Sequence, residues 1–132
     1  MDTWIFNNNL VDTPPLNAVG FIYIITNLSN GKKYIGKKLL TMATYKQVNG
    51  KKKKARKESK WRQYQGSNKE LLFDISINNH SIKKEIIEWS YTESQHNYLE
   101  VKYQFIYEVL EDINFYNDNI NGRWYRKNII QK

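Results

Sequence analysis

Two short runs of β-branched and aromatic residues, Phe21-Ile22-Tyr23-Ile24-Ile25 and Lys32-Lys33-Tyr34-Ile35-Gly36, stand on either side of Asn27-Leu28-Ser29-Asn30-Gly31. Ile, Tyr and Phe favour extended backbone because their side chains fit a pleated surface, whereas Asn, Ser and Gly accept the tight backbone of a reversal. The pattern predicts a β-hairpin, and everything else in the chain must pack around it. Two registers are open. A loop from Asn27 to Asn30 sets Tyr23 directly across from Tyr34, with Cβ atoms ~5 Å apart; a tight Asn30-Gly31 turn sets Tyr23 across from Lys38 and separates the tyrosines by ~13 Å along the strand. Both registers leave the two tyrosines on one face. A shared sheet face is by itself ordinary packing.

The remaining segments supply partners for the hairpin. Residues 1–19 read as an irregular N-terminal leader, because Asn7-Asn8-Asn9 and Asp12-Thr13-Pro14-Pro15 are turn and breaker signals, with Trp4, Ile5 and Phe6 available as an anchor. Residues 38–60 have no clear period and are expected to form a lysine-rich inserted loop. Ser67-Asn68-Lys69-Glu70 reads as a capping box opening a helix striped by Leu71, Leu72 and Ile75, which stops near Asn78-Asn79. Ile82 to Trp89 reads as a third strand, with Ile87 and Trp89 on one face and Ile86 on the other. Thr92 to Asp112 reads as the longest helix, capped by Thr92 and Gln95 and striped by Leu99, Tyr103, Ile106 and Leu110. The tail from Phe115 predicts a short strand or docked coil. The expected architecture is α+β: a small antiparallel three-stranded sheet built on the Tyr23/Tyr34 hairpin, flanked by helices, in one domain over residues 20–132.

Composition excludes several functions. There is no cysteine, so disulfide scaffolds, thiolate zinc sites and thiol nucleophiles are ruled out. No run of ~18 apolar residues occurs, so no membrane-spanning helix is expected. The start Met1-Asp2-Thr3-Trp4-Ile5-Phe6 is acidic and its apolar run stops at Asn7, so no secretory signal is expected and the protein is assigned to the cytoplasm. The net charge of +8 is unevenly placed. Between Lys32 and Arg62 stand 13 lysines and arginines against one acid, Glu58, a balance of +12, while the other 101 residues carry −4. A strip this basic, interleaved with Tyr45, Trp61 and Tyr64, suits nucleic-acid phosphates.

Phe21-Ile22-Tyr23, preceded by Gly20, and Tyr34-Ile35-Gly36 ten residues later resemble the paired tripeptides of the GIY-YIG nuclease family. An arginine-bearing segment, a later helical glutamate and a more distal asparagine follow in the family's order. Trp61-Arg62-Gln63-Tyr64-Gln65-Gly66-Ser67 is similar to small free-standing phage-type members. The resemblance spans roughly residues 20 to 120. It implies hydrolysis of DNA phosphodiester bonds with one divalent metal, Mg²⁺ or Mn²⁺, by a homing or other phage-encoded enzyme working in the host cytoplasm. By that resemblance Tyr23 is the general base, Tyr34 positions water or phosphate, Glu100 holds the metal, and Asn117 orients phosphate or a neighbouring side chain. Lys37, next to the second tripeptide, supplies a positive field that helps a tyrosine lose its proton.

The family usually carries its arginine about ten residues past the second tripeptide, and residues 37–54 contain none. Arg62 is therefore the first candidate for the phosphate clamp, Arg56 the second, with Lys60 as a lysine substitute. Lys38, Lys51, Lys52, Lys53, Lys54, Lys60, Trp61 and Tyr64 are the expected DNA contacts. Blander readings stand beside these: Glu100 as an ion-pair partner of the strip, Asn117 as a turn residue, His96 as an exposed side chain, and Trp61 and Tyr64 as packing. The alternative function is a non-catalytic basic nucleic-acid-binding protein on the same scaffold. DNA is expected as partner ahead of RNA, and the oligomeric state, monomer or homodimer, is open.

Overall fold

The computed structural model describes residues 3–130. In chain order it contains β1 (Trp4–Phe6), β2 (Asn9–Leu10), β3 (Gly20–Asn27), β4 (Lys33–Leu39), β5 (Thr41–Val48), β6 (Lys51–Glu58), α1 (Lys69–Ser76), β7 (Ile82–Ser90), α2 (Glu93–Ile106), β8 (Asn119–Ile120), β9 (Trp124–Tyr125) and α3 (Arg126–Ile129). Strands β3 and β4 form the expected hairpin in a register between the two considered: Tyr23 opposes Gly36 and Ile25 opposes Tyr34. The cause is Asn27. Its Oδ1 accepts from the Ser29 and Asn30 amides, at 2.8 and 3.3 Å, and its own N–H donates to the Lys32 carbonyl at 2.7 Å. This starts the loop one residue later than expected, and Gly31 completes it at φ +78°. The tyrosines become diagonal neighbours on one face, ring centroids 6.1 Å apart.

The α+β class holds, but the sheet has five strands in the order β2-β1-β7-β3-β4 and is mixed. The segment expected as an irregular leader supplies two of them, with β1 parallel to β7. Trp4 makes the difference. Only 1% exposed, it meets Phe21 edge-on at 4.9 Å and donates from Nε1 to the Trp61 carbonyl at 2.7 Å.

A β-bulge offsets β7 against β3 between Ile22 and Tyr23, so Trp89 faces Phe21 while Ile86 faces Tyr23. Trp89 and Ile86 therefore share one core with Trp4, Phe21 and Tyr23, correcting the alternation expected of an unbroken strand. Ile87 packs instead against a second core formed by Ile22, Ile35, Leu99 and Leu110 under α2. The bulge also turns Lys84 inward. Its ammonium donates to the carbonyls of Arg62 and Tyr64 at 3.0 and 2.8 Å, tying the 61–66 loop to the sheet.

Helix α1 is capped by Asn68, whose side chain accepts from the Leu71 N–H, so the cap lies one residue beyond Ser67. Helix α2 is capped by Thr92 as expected, but it stops at Ile106 and the chain reverses through Glu108 at φ +51°. The guanidinium of Arg126 then collects the carbonyls of Val109, Leu110, Asp112, Phe115 and Asn117, fixing the segment that leads to Asn117.

The expected loop over residues 38–60 is instead a second hairpin. Strands β5 and β6 pair from Thr41↔Glu58 to Val48↔Lys51 and join through Asn49-Gly50, both at positive φ. Asn-Gly is the strongest two-residue hairpin signal. Among the described residues no helix is long and apolar enough to cross a membrane.

Truncating Trp4 removes an aromatic from the main core, so Trp4→Ala should lower unfolding free energy by about 3–5 kcal/mol in chemical denaturation. A loss below about 0.5 kcal/mol, the usual scale for an exposed position, would show that β1 is not part of the folded core.

Candidate active site

Glycine lets the tyrosine face close up. A Cβ at Gly36 would lie 2.5 Å from the Tyr23 hydroxyl oxygen and 2.7 Å from Cζ, so only glycine lets the Tyr23 ring cross over its partner on β4. Gly66, at φ +92°, walls the same hydroxyl from the 61–66 loop. Tyr23 is thereby 0% exposed and hydrogen-bonded to Tyr64; burial, then the neighbouring Tyr34, pushes its pKa well above that of a free tyrosine. The hydroxyl that the resemblance assigns as general base is thus enclosed by protein on every side.

Tyr34 is placed differently. Its hydroxyl shares a 3.2 Å hydrogen bond with Ser67 Oγ at the rim of a cavity of about 580 Å³. Glu100, Gln104, Asn117 and Asp118 line the same cavity. The Tyr34 pKa is raised by burial and by the Glu100 charge, against a lowering by Ser67.

Glu100 reaches the cavity from α2. Burial raises its pKa and the nearby Lys37 charge opposes the rise, with Lys37 Nζ 3.6 Å from its carboxylate. Lys37 also donates to Asn97 Oδ1 at 2.6 Å. One turn beyond Glu100, Gln104 is 5% exposed and donates from Nε2 to the Ile35 carbonyl at 3.3 Å. That bond fixes the amide's orientation and leaves Oε1, among the described residues, a buried acceptor with no partner. Asn117 clasps the same backbone, accepting from the Ile35 N–H at 3.1 Å and donating to its carbonyl at 2.9 Å. It thus fixes the residue between Tyr34 and Gly36.

Across the Lys37–Glu100 pair lies a second cavity, about 550 Å³, lined by Lys37, Lys38, Arg56, Tyr64 and Asn97. Arg56 enters it from β6 with Nε and Nη2 bonded to Thr41 Oγ1 and the Thr41 carbonyl, at 2.8 and 2.9 Å. Lys38 Nζ sits 4.4 Å above the Tyr64 ring, which meets Tyr23 edge-on at 5.9 Å. Arg62, the first choice from sequence, lines neither cavity. It stacks 4.3 Å from the Trp61 ring, donates to the Asp12 carbonyl at 2.8 Å and pairs with Glu58 at 3.8 Å. Trp61 is 1% exposed in the main core, so its face is closed to a base. Lys60 is exposed beside it, and Lys51 to Lys54 lie exposed on β6.

His96 is buried rather than exposed, with Nδ1 2.7 Å from Ser90 Oγ. Burial, then Lys37, lowers its pKa to about 4, so it stays neutral near pH 7. Among the described residues no three His, Cys, Asp or Glu side chains gather. The cavity around Glu100 also carries the carboxylates of Glu70 and Asp118, the unpartnered Gln104 Oε1 and the amides of Asn117 and Asn119. That set fits a hard cation such as Mg²⁺, which keeps most of its waters and takes phosphate oxygens as ligands. Gln104, Ser67 and Asp118 are among the cavity residues missed from sequence. Gln104 stands four residues after Glu100, the helical spacing that stacks two side chains on one face.

Because the Lys37 charge holds the Glu100 pKa down against burial, Lys37→Met should move the Glu100 titration to higher pH. Carbon-13 NMR of the labelled carboxyl reads this directly; an unchanged or lower midpoint would break the assignment of the pair.

A family model described as "Putative endonuclease segE, GIY-YIG domain" matches residues 4–129. No curated protein and no solved structure matches at a significant level. The matched span runs from β1 through both tripeptides, the lysine-rich hairpin and the Asn117 segment. It is a match of a whole domain, and on it the chain belongs to the GIY-YIG endonuclease family.

Proposed function

We propose that the protein is a Mg²⁺- or Mn²⁺-dependent endonuclease that hydrolyses phosphodiester bonds in DNA. The observation that carries this reading is the convergence of Tyr34, Glu100, Gln104 and Asn117 on one cavity beside Lys37. Glu100 would hold the cation, with Gln104 Oε1 accepting from one of its waters. When bound, the cation withdraws charge from the scissile phosphate and acidifies a bound water.

Of the two family tyrosines, Tyr34 is the one that meets substrate, because its hydroxyl opens on the cavity while Tyr23 is enclosed. Tyr34 orients the attacking water and accepts its proton; Tyr23, with Gly36 and Tyr64, holds the Tyr34 ring in place. Arg56 replaces Arg62 as the phosphate clamp, since it enters the neighbouring cavity beside Lys37 and Lys38. A guanidinium fork there matches phosphate oxygens and offsets charge in the transition state. Asn117 positions Tyr34 through the Ile35 backbone rather than touching substrate.

Supercoiled plasmid should be nicked with Mg²⁺ or Mn²⁺ and left intact with chelator, while structured RNA is spared. Absence of nicking at any protein or metal concentration would instead make this a binding protein. Tyr34→Phe and Glu100→Ala should each cut single-turnover cleavage by roughly 10²–10⁴-fold, the range for losing a proton-transfer or charge-stabilising group. Arg56→Ala should fall in the same range, whereas Arg62→Ala should cost less than about tenfold. Equal losses for the two arginines would overturn the choice between them.

The raised pKa of Tyr34 gives a sign for pH. A base that ionises late is more available as pH rises, so the cleavage rate should climb from pH 7 to 9 and flatten in Tyr34→Phe. A wild-type profile flat over that range would remove Tyr34 from proton transfer.

A further inference from the structure

The β5–β6 ribbon is built unlike the rest of the molecule. Its two eight-residue strands pair only with each other, and all their residues are exposed except Thr41, Thr44 and Ala55, which are half-buried. Lysine opposes lysine at Lys46↔Lys53, an arrangement that destabilises a strand pair. A two-stranded ribbon has little stability of its own in water, so this repulsion is not offset by any core. Asn49-Gly50 nevertheless closes it with a two-residue turn, and the strand pairing gives the charges a defined order along two faces.

Side-chain alternation divides that array. Cross-strand partners share a face, so Arg56, Lys54 and Lys52 lie with Tyr45 and Gln47, while Lys57, Lys53, Lys51 and Lys46 lie on the opposite side. Both faces are positive. A ribbon resting flat on a single phosphate strand would need charge on one face. A ribbon standing between two walls of phosphate needs it on both.

We infer that the β5–β6 ribbon is a docking arm that enters the major groove of the DNA duplex being cut. The inference rests on the reading of the substrate as duplex DNA. The dimensions select the groove. A strand layer with its side chains is ~10 Å thick, which the major groove at ~12 Å admits and the minor groove at ~6 Å does not. The arm is rooted at the second cavity, the one that Lys37 also lines, through Arg56 and Thr41. Eight residues of strand reach ~26 Å at about 3.3 Å each, so the gripped groove extends ~7–8 base pairs at 3.4 Å per pair from the cut. Tyr45 and Gln47 are then the side chains between the lysines that can face base edges.

The test uses a shortened arm in which residues 45–54 are replaced by Asn-Gly, which preserves the Thr44↔Ala55 pairing, and a full-length Lys51/Lys52/Lys53/Lys54→Gln variant that controls for folding. Binding of a 30-base-pair duplex is followed by fluorescence anisotropy in Ca²⁺ across a salt series. The slope of log affinity against log salt should fall by ~0.9 for each phosphate that the variant no longer neutralises, about 4 for the shortened arm, with affinity at low salt down at least tenfold. Bulky substituents on pyrimidine C5, which project into the major groove, should weaken wild type at least tenfold and the shortened arm not at all. A minor-groove ligand of the netropsin type should leave wild type bound. Duplex RNA, whose major groove is deep and narrow, should not compete.

Equal affinities and salt slopes for wild type and both variants would overturn the arm. So would displacement by the minor-groove ligand with indifference to the C5 groups, or arm-dependent binding of duplex RNA. Because the readout is binding, ribbon-dependent affinity without plasmid nicking would overturn the nuclease reading alone, and nicking with ribbon-independent affinity would overturn the arm alone.

Discussion

The backbone of Ile35 is the point on which the rest of the site depends. Strand β4 is the edge of its sheet, so beyond it Ile35 presents an N–H and a carbonyl with no neighbouring strand to meet them. Asn117 fills that position with its amide, donating and accepting as a strand residue would, and Gln104 adds a second donor to the same carbonyl. Two elements distant in sequence are thereby fastened to the residue between Tyr34 and Gly36. The edge is blocked against further pairing, the tripeptide is held in one conformation, and the side chains that do the holding bring the cavity wall with them. Arg126 extends the fastening by gathering the carbonyls of the turn that ends at Asn117. The distal asparagine is thus part of the scaffold of the site, and its place in the family's order has a physical reason independent of any contact with phosphate.

Around that fixed backbone the charges are arranged as a gradient. Glu100 lies half-buried with Lys37 close by, and the other basic side chains run away from it through Lys38 and Arg56 onto the ribbon. A half-buried carboxylate beside a lysine would ordinarily form a close ion pair, and here the contact is loose, at 3.6 Å, as Lys37 also donates to Asn97. Burial then dominates and the Glu100 pKa rises. A carboxylate held in that condition is poorly satisfied by the protein alone and gains from an added cation, as does the unpartnered oxygen of Gln104 one turn away. Tyr34 shares the same cavity and is raised partly by the same charge, so whatever neutralises Glu100 also eases ionisation of the tyrosine.

What was legible in the sequence followed the range of the interactions involved. The β3–β4 hairpin, the Thr92 cap and the third strand rest on neighbours a few residues apart, and local pattern found them. The hairpin register slipped because Asn27 bonds forward to Ser29 and Asn30, a choice made by one side chain rather than by turn composition. The face of Ile86 was lost to a bulge, which breaks the two-residue period without leaving a glycine or proline to mark it. Strand β1 pairs with residues some 80 positions away, and its stabilisation is the burial of Trp4, which no local rule detects. The ribbon lacks an apolar face, so its alternation was invisible, yet Asn49-Gly50 was in plain sight. Among the candidate residues, the family order singled out Tyr34, Glu100 and Asn117, which the fold brings to one cavity, but the direction of Arg62 is set by Asp12, Glu58 and Trp61, contacts that only the fold creates.

The ribbon and the site also divide the work of recognition by where stability resides. At its root the hairpin is tied down: Ser59 donates to the Leu39 carbonyl at 2.6 Å, the Ser59 N–H donates to Leu40 at 2.8 Å, and Arg56 holds Thr41. Toward the tip, lysines repel one another and nothing is buried. Such an element keeps its direction while its outer half stays compliant. Polyanion binding removes the repulsion at the tip, so the gain from phosphate contact is largest where the free arm is weakest. At the root, by contrast, binding has little repulsion to relieve and the geometry is already set. In the proposed complex the tip therefore supplies affinity, and the root transmits position to Lys37, Lys38 and Arg56. In that complex such a separation would let a domain of this size combine firm placement of one phosphate at the cavity with tolerance for the shape of the DNA beyond it.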